Sequence, residues 1–144
     1  MTFWFDMDGT IADLYGVPNW LDNLIAKETR PYDIAKGIGN LSQIARKLNK
    51  LQKLGHEIGI ISWTAKGTDE SYNKKIALAK LAWLNKHFKS VNWNSIKIVP
   101  YGTNKKEICQ TGILFDDEEG NRKAWGKDAF TPNAIIKVLD SFLH

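Results

Sequence analysis

Two carboxylates stand one residue apart in Asp6-Met7-Asp8, where the apolar run Phe3-Trp4-Phe5 stops and just before Gly9-Thr10. In a β-conformation residues i and i+2 point to the same side, so both carboxylates can reach one small site as the strand ends. Two carboxylates in one place repel, unless a cation sits between them or one keeps its proton. That arrangement suits a nucleophile paired with a general acid, Asp6 attacking and Asp8 handling the proton of the leaving group. A second acidic pair, Asp116-Asp117, follows the apolar run Ile113-Leu114-Phe115. Mg²⁺ prefers oxygen ligands and keeps several waters, so it needs only one or two carboxylates from a protein. Asp6 and Asp116, brought together from two strand ends, would supply them, with Asp117 supporting the metal's water or a lysine. Glu118 and Glu119 are expected to serve the start of the helix that follows.

Donors for an anion come from two other places. Ser62 ends the run Ile58-Gly59-Ile60-Ile61, and its hydroxyl with the following amide, that of Trp63, can donate to phosphate oxygens. Thr64 is a less favoured substitute for Ser62, and a plain strand-end hydroxyl is the alternative for both. Lys105 and Lys106 lie in Tyr-Gly-Thr-Asn-Lys-Lys-Glu, and a lysine there could neutralise Asp6 and a phosphoryl group. Only one of the two can face the site if they begin a helix. Lys105 is favoured because it lies nearest the loop, Lys106 is the alternative, and either could be a solvated surface charge.

These residues need strands that end in one place. An apolar run suits a parallel strand covered on both faces, and charges that begin where the run stops belong at its carboxyl end, where open α/β sheets bind ligands. Helical spacing of Leu41, Ile44, Ala45, Leu48 and Leu51, with Asn40 as cap and Gly55 beyond the end, predicts the next helix. The run from Ile58 to Ser62 reads as a second strand. A helix follows from about Ser71 to Lys89, with Tyr72, Ile76, Ala79, Trp83 and Leu84 facing the sheet. Ser95 to Val99 and Ile113 to Phe115 read as strands three and four. Thr131 caps a last helix with Pro132 in its first turn and Ile135, Ile136, Leu139 and Phe142 on its buried face. Strands alternating with helices predict an α/β fold, a Rossmann-like doubly wound parallel sheet. The segment 11–39 reads as a very small cap insertion. It is mostly loop, with one helical piece from about Trp20 to Lys27 whose Trp20, Leu21, Leu24 and Ile25 share a face.

A chain of 144 residues is expected to form a single domain with a real core. No apolar stretch approaches a membrane span and no secretory leader is evident, so a cytoplasmic protein is expected, in keeping with the single Cys109. The net charge of +4 would help attract a phosphorylated substrate but is too mild to imply nucleic-acid binding. Six Trp are unusual for this length; they could be packing residues or a stacking surface for a base.

Asp6-Met7-Asp8-Gly9-Thr10 has the pattern DxDGT, and with it the sequence resembles the haloacid dehalogenase-like superfamily of phosphatases and phosphotransferases. The resemblance implies an aspartyl-phosphate on Asp6, acid and base work by Asp8, and the backbone carbonyl of Asp8 on Mg²⁺ beside Asp6 and Asp116. The superfamily's other motifs are an apolar strand ending in Ser or Thr, matched by Ile58 to Ser62, a lysine, and an apolar strand ending in paired acids, matched by Ile113 to Asp117. The dehalogenase branch lacks the second Asp, so Asp8 argues for phosphoryl chemistry. Leu81 to Phe88 is similar to the Trp-Leu-x-x-His-Phe segment of the 5'(3')-deoxyribonucleotidase branch, although the cap is much shorter here. Trp20 or Trp63 could stack on a base, and His87 reads as a helix-surface residue. The expected function is a Mg²⁺-dependent phosphomonoester hydrolase acting on a small phosphorylated substrate such as a nucleotide. Alternatives are a phosphatase of nucleic-acid ends and a binding or regulatory protein that kept the fold and lost turnover.

Overall fold

The N-terminal apolar run forms β1 (Thr2–Phe5), the middle strand of a five-stranded sheet in this computed structural model, which describes residues 1–143. Beyond it β2 (Ala12–Asp13) leads to two small helices, α1 (Trp20–Ile25) and α2 (Arg30–Ile34), and β3 (Lys36–Gly37) returns antiparallel to β2. The chain continues through α3 (Leu41–Lys53), β4 (Glu57–Trp63), α4 (Glu70–His87), β5 (Ser95–Val99) and α5 (Lys105–Cys109). It ends with β6 (Ile113–Phe115), α6 (Glu119–Trp125), β7 (Ala129–Phe130), a 3₁₀ turn and α7 (Ile135–Ser141).

The sheet order is β5-β4-β1-β6-β7, and every neighbouring pair is parallel. This is the doubly wound, Rossmann-like α/β arrangement. The chain winds outward from β1 through β4 to β5, then returns to the far side of β1 with β6 and β7. The winding therefore reverses between β1 and β6, and an open parallel sheet leaves a crevice at the carboxyl ends of the strands at such a reversal.

Strand alternation divides the core between two faces. Phe3, Phe5, Ile58, Ile60 and Phe115 face a layer holding Leu48 of α3, Trp83 of α4 and Leu139 of α7. Trp4, Ile61 and Leu114 face the other way, onto Trp125 of α6. Each such side chain contributes roughly 1.5–3 kcal/mol of burial. Trp4 lies across its register partner Gly59, where an added Cβ would stand 2.5 Å from the indole, so only glycine fits there.

Asn40 caps α3 by accepting from Gln43 N at 3.0 Å, and Gly55 follows its end with φ of 93°, as the spacing predicts. Several elements differ from the sequence reading: β2 and β3 pair within a segment expected to be mostly loop, and the last helix starts at Ile135 behind the 3₁₀ turn, with no side-chain capping bond from Thr131. The segment 11–39 holds two helices, because Pro31 lies in the first turn of α2, where its missing N–H costs nothing. The apolar face expected on α1 is not buried: Leu21 and Ile25 are exposed, while Trp20 and Leu24 are half-buried. The strand β7 is an addition, and at two residues it is too short to show a period. Among the described residues no helix is long and apolar enough to cross a membrane.

Candidate active site

The carboxyl end of β1 meets a tight turn in which Met7 O accepts from the N–H groups of Thr10, Ile11 and Ala12. Gly9 makes this turn at φ of 81°, and a Cβ there would strike Asp117 Oδ2 at 2.2 Å. The turn leaves Asp6 and Asp8 lining one cavity of about 430 Å³, together with Thr64, Lys105, Asp116 and Asp117. The crevice at the reversal of the sheet is thus where the acids from β1 and β6 meet.

Asp6 is buried. Its Oδ1 accepts from Lys105 Nζ at 2.9 Å and its Oδ2 from Thr10 Oγ1 at 3.1 Å. Lys105 opens α5 behind the cap Asn104, which turns its side chain inward, and its ammonium also donates to Asp116 Oδ2 at 2.7 Å. Burial pulls this lysine toward neutrality, but Asp6 and Asp116 outweigh it and hold the ammonium above its ordinary value. Lys106 lies elsewhere, with its ammonium 4.9 Å from the centroid of the Trp125 ring.

Asp116 is held from several directions. Its Oδ1 accepts from Glu118 N at 2.9 Å, its Oδ2 from Asn121 Nδ2 at 3.0 Å, and its backbone carbonyl from Arg122 at 2.9 Å. Asp117 donates its N–H to Thr10 Oγ1 at 3.1 Å. Oxygens of Asp6, Asp116 and Asp117 all lie within 4.8 Å of one another. Burial, then the charge of Asp6, pushes Asp116 up to about 6 and Asp117 up to about 7. Three convergent hard oxygen donors, two of them carboxyls raised above their ordinary range, are the donor set a divalent cation relieves, so the residues present fit Mg²⁺. Glu118 precedes α6 without a side-chain capping bond, and Glu119 occupies its first turn.

The second strand end is arranged differently from the sequence reading. Strand β4 runs on through Trp63, and the fully buried Ser62 hydroxyl, away from the cavity lining, bonds the ammonium of Lys80 at 2.7 Å. Two residues further, Thr64 lines the cavity, and its buried hydroxyl has no partner. Thr64 N donates to Val99 O at 2.9 Å on the β5 side. Alternation then places the Trp63 N–H on the β1 side, past the last register pair Phe5 and Ile60, and Trp63 itself lines the cavity.

A second cavity of about 510 Å³ adjoins the first and shares Asp8, Tyr15, Thr64 and Tyr101 with it. Its further wall is mostly apolar, with Leu14, Trp20, Leu24 and Tyr32. Trp20 meets Tyr15 edge to face at 4.9 Å, and across the opening Trp63 leans on Tyr101 at 4.8 Å. Trp63 also donates its indole N–H to Thr103 O at 2.9 Å. His87 lies away from both cavities, stacked on Trp83 at 4.3 Å.

Three residues lining this site carry no motif in the sequence, Tyr15, Tyr101 and Asn121. Lys80 left a signal: it is a cation in the apolar stripe of α4, one turn after Ile76 and one turn before Leu84. A charge on the inner stripe of a helix needs a buried partner. That partner is Asp8, whose carboxyl burial raises above its ordinary value, with Lys80 opposing and Asp6 reinforcing the shift.

No family model matches this chain, and no curated protein matches it. Among solved structures it is similar to a D,D-heptose 1,7-bisphosphate phosphatase from Burkholderia thailandensis, with a TM-score of 0.59 over 99% of this chain and 97% of that one. At 10% identity the likeness is one of fold.

Proposed function

We propose that this protein is a Mg²⁺-dependent phosphomonoester hydrolase that works through an aspartyl-phosphate on Asp6. The observation that carries this reading is the pairing of Asp6 and Asp8 at the end of β1, in a cavity shared with Lys105 and Asp116. The fold it shares with a solved phosphatase supports the reading. Asp6 attacks phosphorus, and Lys105 offsets the negative charge that gathers between nucleophile and phosphoryl group. The N–H of Trp63 and the unpaired hydroxyl of Thr64 donate to the phosphoryl oxygens. Thr64 takes the role that the sequence reading assigned to Ser62, because the Ser62 hydroxyl is occupied by Lys80. Asp8 protonates the leaving oxygen and then removes a proton from the water that cleaves the acyl phosphate. Asp6, Asp116 and the backbone carbonyl of Asp8 would hold Mg²⁺, with Asp117 in support, and the bound ion would neutralise phosphoryl charge.

The adjoining aromatic and apolar cavity suits an organic leaving group with a flat face, and a nucleoside fits that description. The segment 11–39 would then act as a lid that contributes Tyr15 and Trp20. The test is phosphate release from nucleoside monophosphates, sugar phosphates and a 3'-phosphorylated oligonucleotide, each with Mg²⁺ and with EDTA. Turnover is expected with Mg²⁺ alone, and fastest on the nucleoside monophosphates. Preference for the oligonucleotide would move the substrate to nucleic-acid ends. No turnover on any ester, with Mg²⁺ still bound, would replace the enzyme by a binding protein.

Metal binding should depend on pH in a definite direction. Mg²⁺ binds the ionised carboxylates, and Asp116 and Asp117 keep their protons up to about 6 and about 7. Affinity measured by calorimetry should therefore climb between about pH 5 and about pH 8 and then level off. The metal-free fold should change in the opposite sense. Its raised carboxyls bind protons that the unfolded chain has lost above about pH 4, so this stability is present below that value and fades as pH rises through about 7. A flat affinity across this window would remove these carboxylates from the metal site.

A further inference from the structure

Lys80 is the charged group that the chemistry above leaves without a task. It is 1% exposed, and its ammonium donates to Asp8 Oδ2 at 2.9 Å, Ser62 Oγ at 2.7 Å and Trp63 O at 2.7 Å. An ammonium has three N–H donors, and all three are used. Two of the acceptors belong to β4, which is paired on one side with β1 and on the other with β5. The nitrogen is thereby fixed to the frame of the sheet. Its third bond reaches Asp8, which lies beyond the end of β1 in the turn that follows. The ring of Tyr32, from α2, closes over the ammonium with its centroid at 5.4 Å.

An aspartate in a turn has rotamers that point its carboxyl away from the cavity. With Oδ2 tied to Lys80, one orientation remains, and the other oxygen is left to exchange a proton with a bound leaving group. We propose that Lys80 is a positioning residue, a tether from β4 that holds the carboxyl of Asp8 against the leaving-group oxygen. This inference rests on the hydrolase reading above, in which Asp8 is the general acid. Ser62 belongs to the same device: its hydroxyl anchors the tether and leaves phosphate contact to Thr64.

The test compares the full chain with Lys80→Met, which keeps the length and loses the donors, and with Lys80→Arg, which keeps the charge. The readout is the single-turnover rate of leaving-group release, which reports the first phosphoryl transfer alone. For an alkyl phosphate, whose alkoxide cannot leave without a proton, Lys80→Met should be about a hundredfold slower. For p-nitrophenyl phosphate, whose leaving group departs unprotonated, the loss should stay under about fivefold. Lys80→Arg should recover part of the alkyl rate, and it serves as the working variant if Lys80→Met does not fold. Equal losses on both esters would make Lys80 a packing residue and overturn the proposal. A crystal structure of the folded variant supplies a readout independent of turnover: Asp8 should turn from the cavity, and an unmoved carboxyl overturns the tether. Wild-type protein that releases neither leaving group overturns the hydrolase reading instead, and the orientation of Asp8 then decides the tether alone.

Discussion

Replacing Asp6 by Asn should lower turnover by at least about a thousandfold and leave the fold standing. The amide has the same shape, so the bond from Thr10 can persist, and Lys105 keeps Asp116 at 2.7 Å. The substitution removes one of three carboxylates packed within 4.8 Å, so metal-free protein should lose no stability from repulsion. On the proposed mechanism the substitution removes the nucleophile, because an amide does not form a stable acyl phosphate. Two measurements make the case together. The melting temperature should be that of the wild type or higher, while acid-quenched wild type should carry substrate phosphate on the protein and the variant none. A variant within tenfold of wild-type turnover, or one that still takes up the label, would move the nucleophile elsewhere.

The second large effect is on stability. Lys105 is 3% exposed, and it is the cation that bridges Asp6 and Asp116. Lys105→Met leaves two buried carboxylates facing Asp117 with no cation between them, and breaking a buried pair from one side costs about 3–5 kcal/mol. The carboxyls can relieve this by taking protons, so the loss should be largest at neutral pH and shrink toward about pH 5. Mg²⁺ should return a good part of it, about 2.7 kcal/mol at a hundredfold excess over its dissociation constant. Urea unfolding at neutral pH, in EDTA and in Mg²⁺, measures both quantities. A loss under about 1 kcal/mol in EDTA would mean that Lys105 does not carry the charge balance of the site. Turnover in Mg²⁺ should also fall, since on the proposed mechanism the metal does not replace the lysine as a donor on the phosphoryl group.

The strand ends were legible because their signal is local. In β1 and β6 an apolar run stops at an acid, and in a parallel sheet that junction is also the functional edge. The choice between Lys105 and Lys106 depended on helix phase. One residue of an α-helix turns the side chain by about 100°. That carries Lys106 from the carboxylates to Trp125, and only the start of α5 at Lys105 decides which lysine faces in. Ser62 and Thr64 lie on the same side of β4, as period two requires, but the extension of the strand to Trp63 puts the first under α4 and the second at the rim. Lys80 was hidden by a different cause. Apolar spacing alone defines the inner face of α4, and Lys80 interrupts that spacing as a buried cation, whose partner Asp8 lies 72 residues away in sequence.

The two-residue pair β2–β3 has a consequence for anyone who would alter the protein. It sets Ala12 beside Gly37 and Asp13 beside Lys36, so residues 14–35 depart from this pair and return to it through adjacent points; Leu14, Val17, Tyr32 and Ala35 are buried, while the stretch 18–30 holds no buried side chain. A segment whose ends are already together can be exchanged for a longer or shorter one at a small cost in closure entropy, since each doubling of length adds only about 0.6 kcal/mol. None of Asp6, Asp8, Lys105 or Asp116 lies within that stretch. The stretch 18–30 is therefore a cassette, and grafting different loops there, with the buried Leu14, Val17, Tyr32 and Ala35 kept, offers a route to new selectivity with the reacting groups left in place.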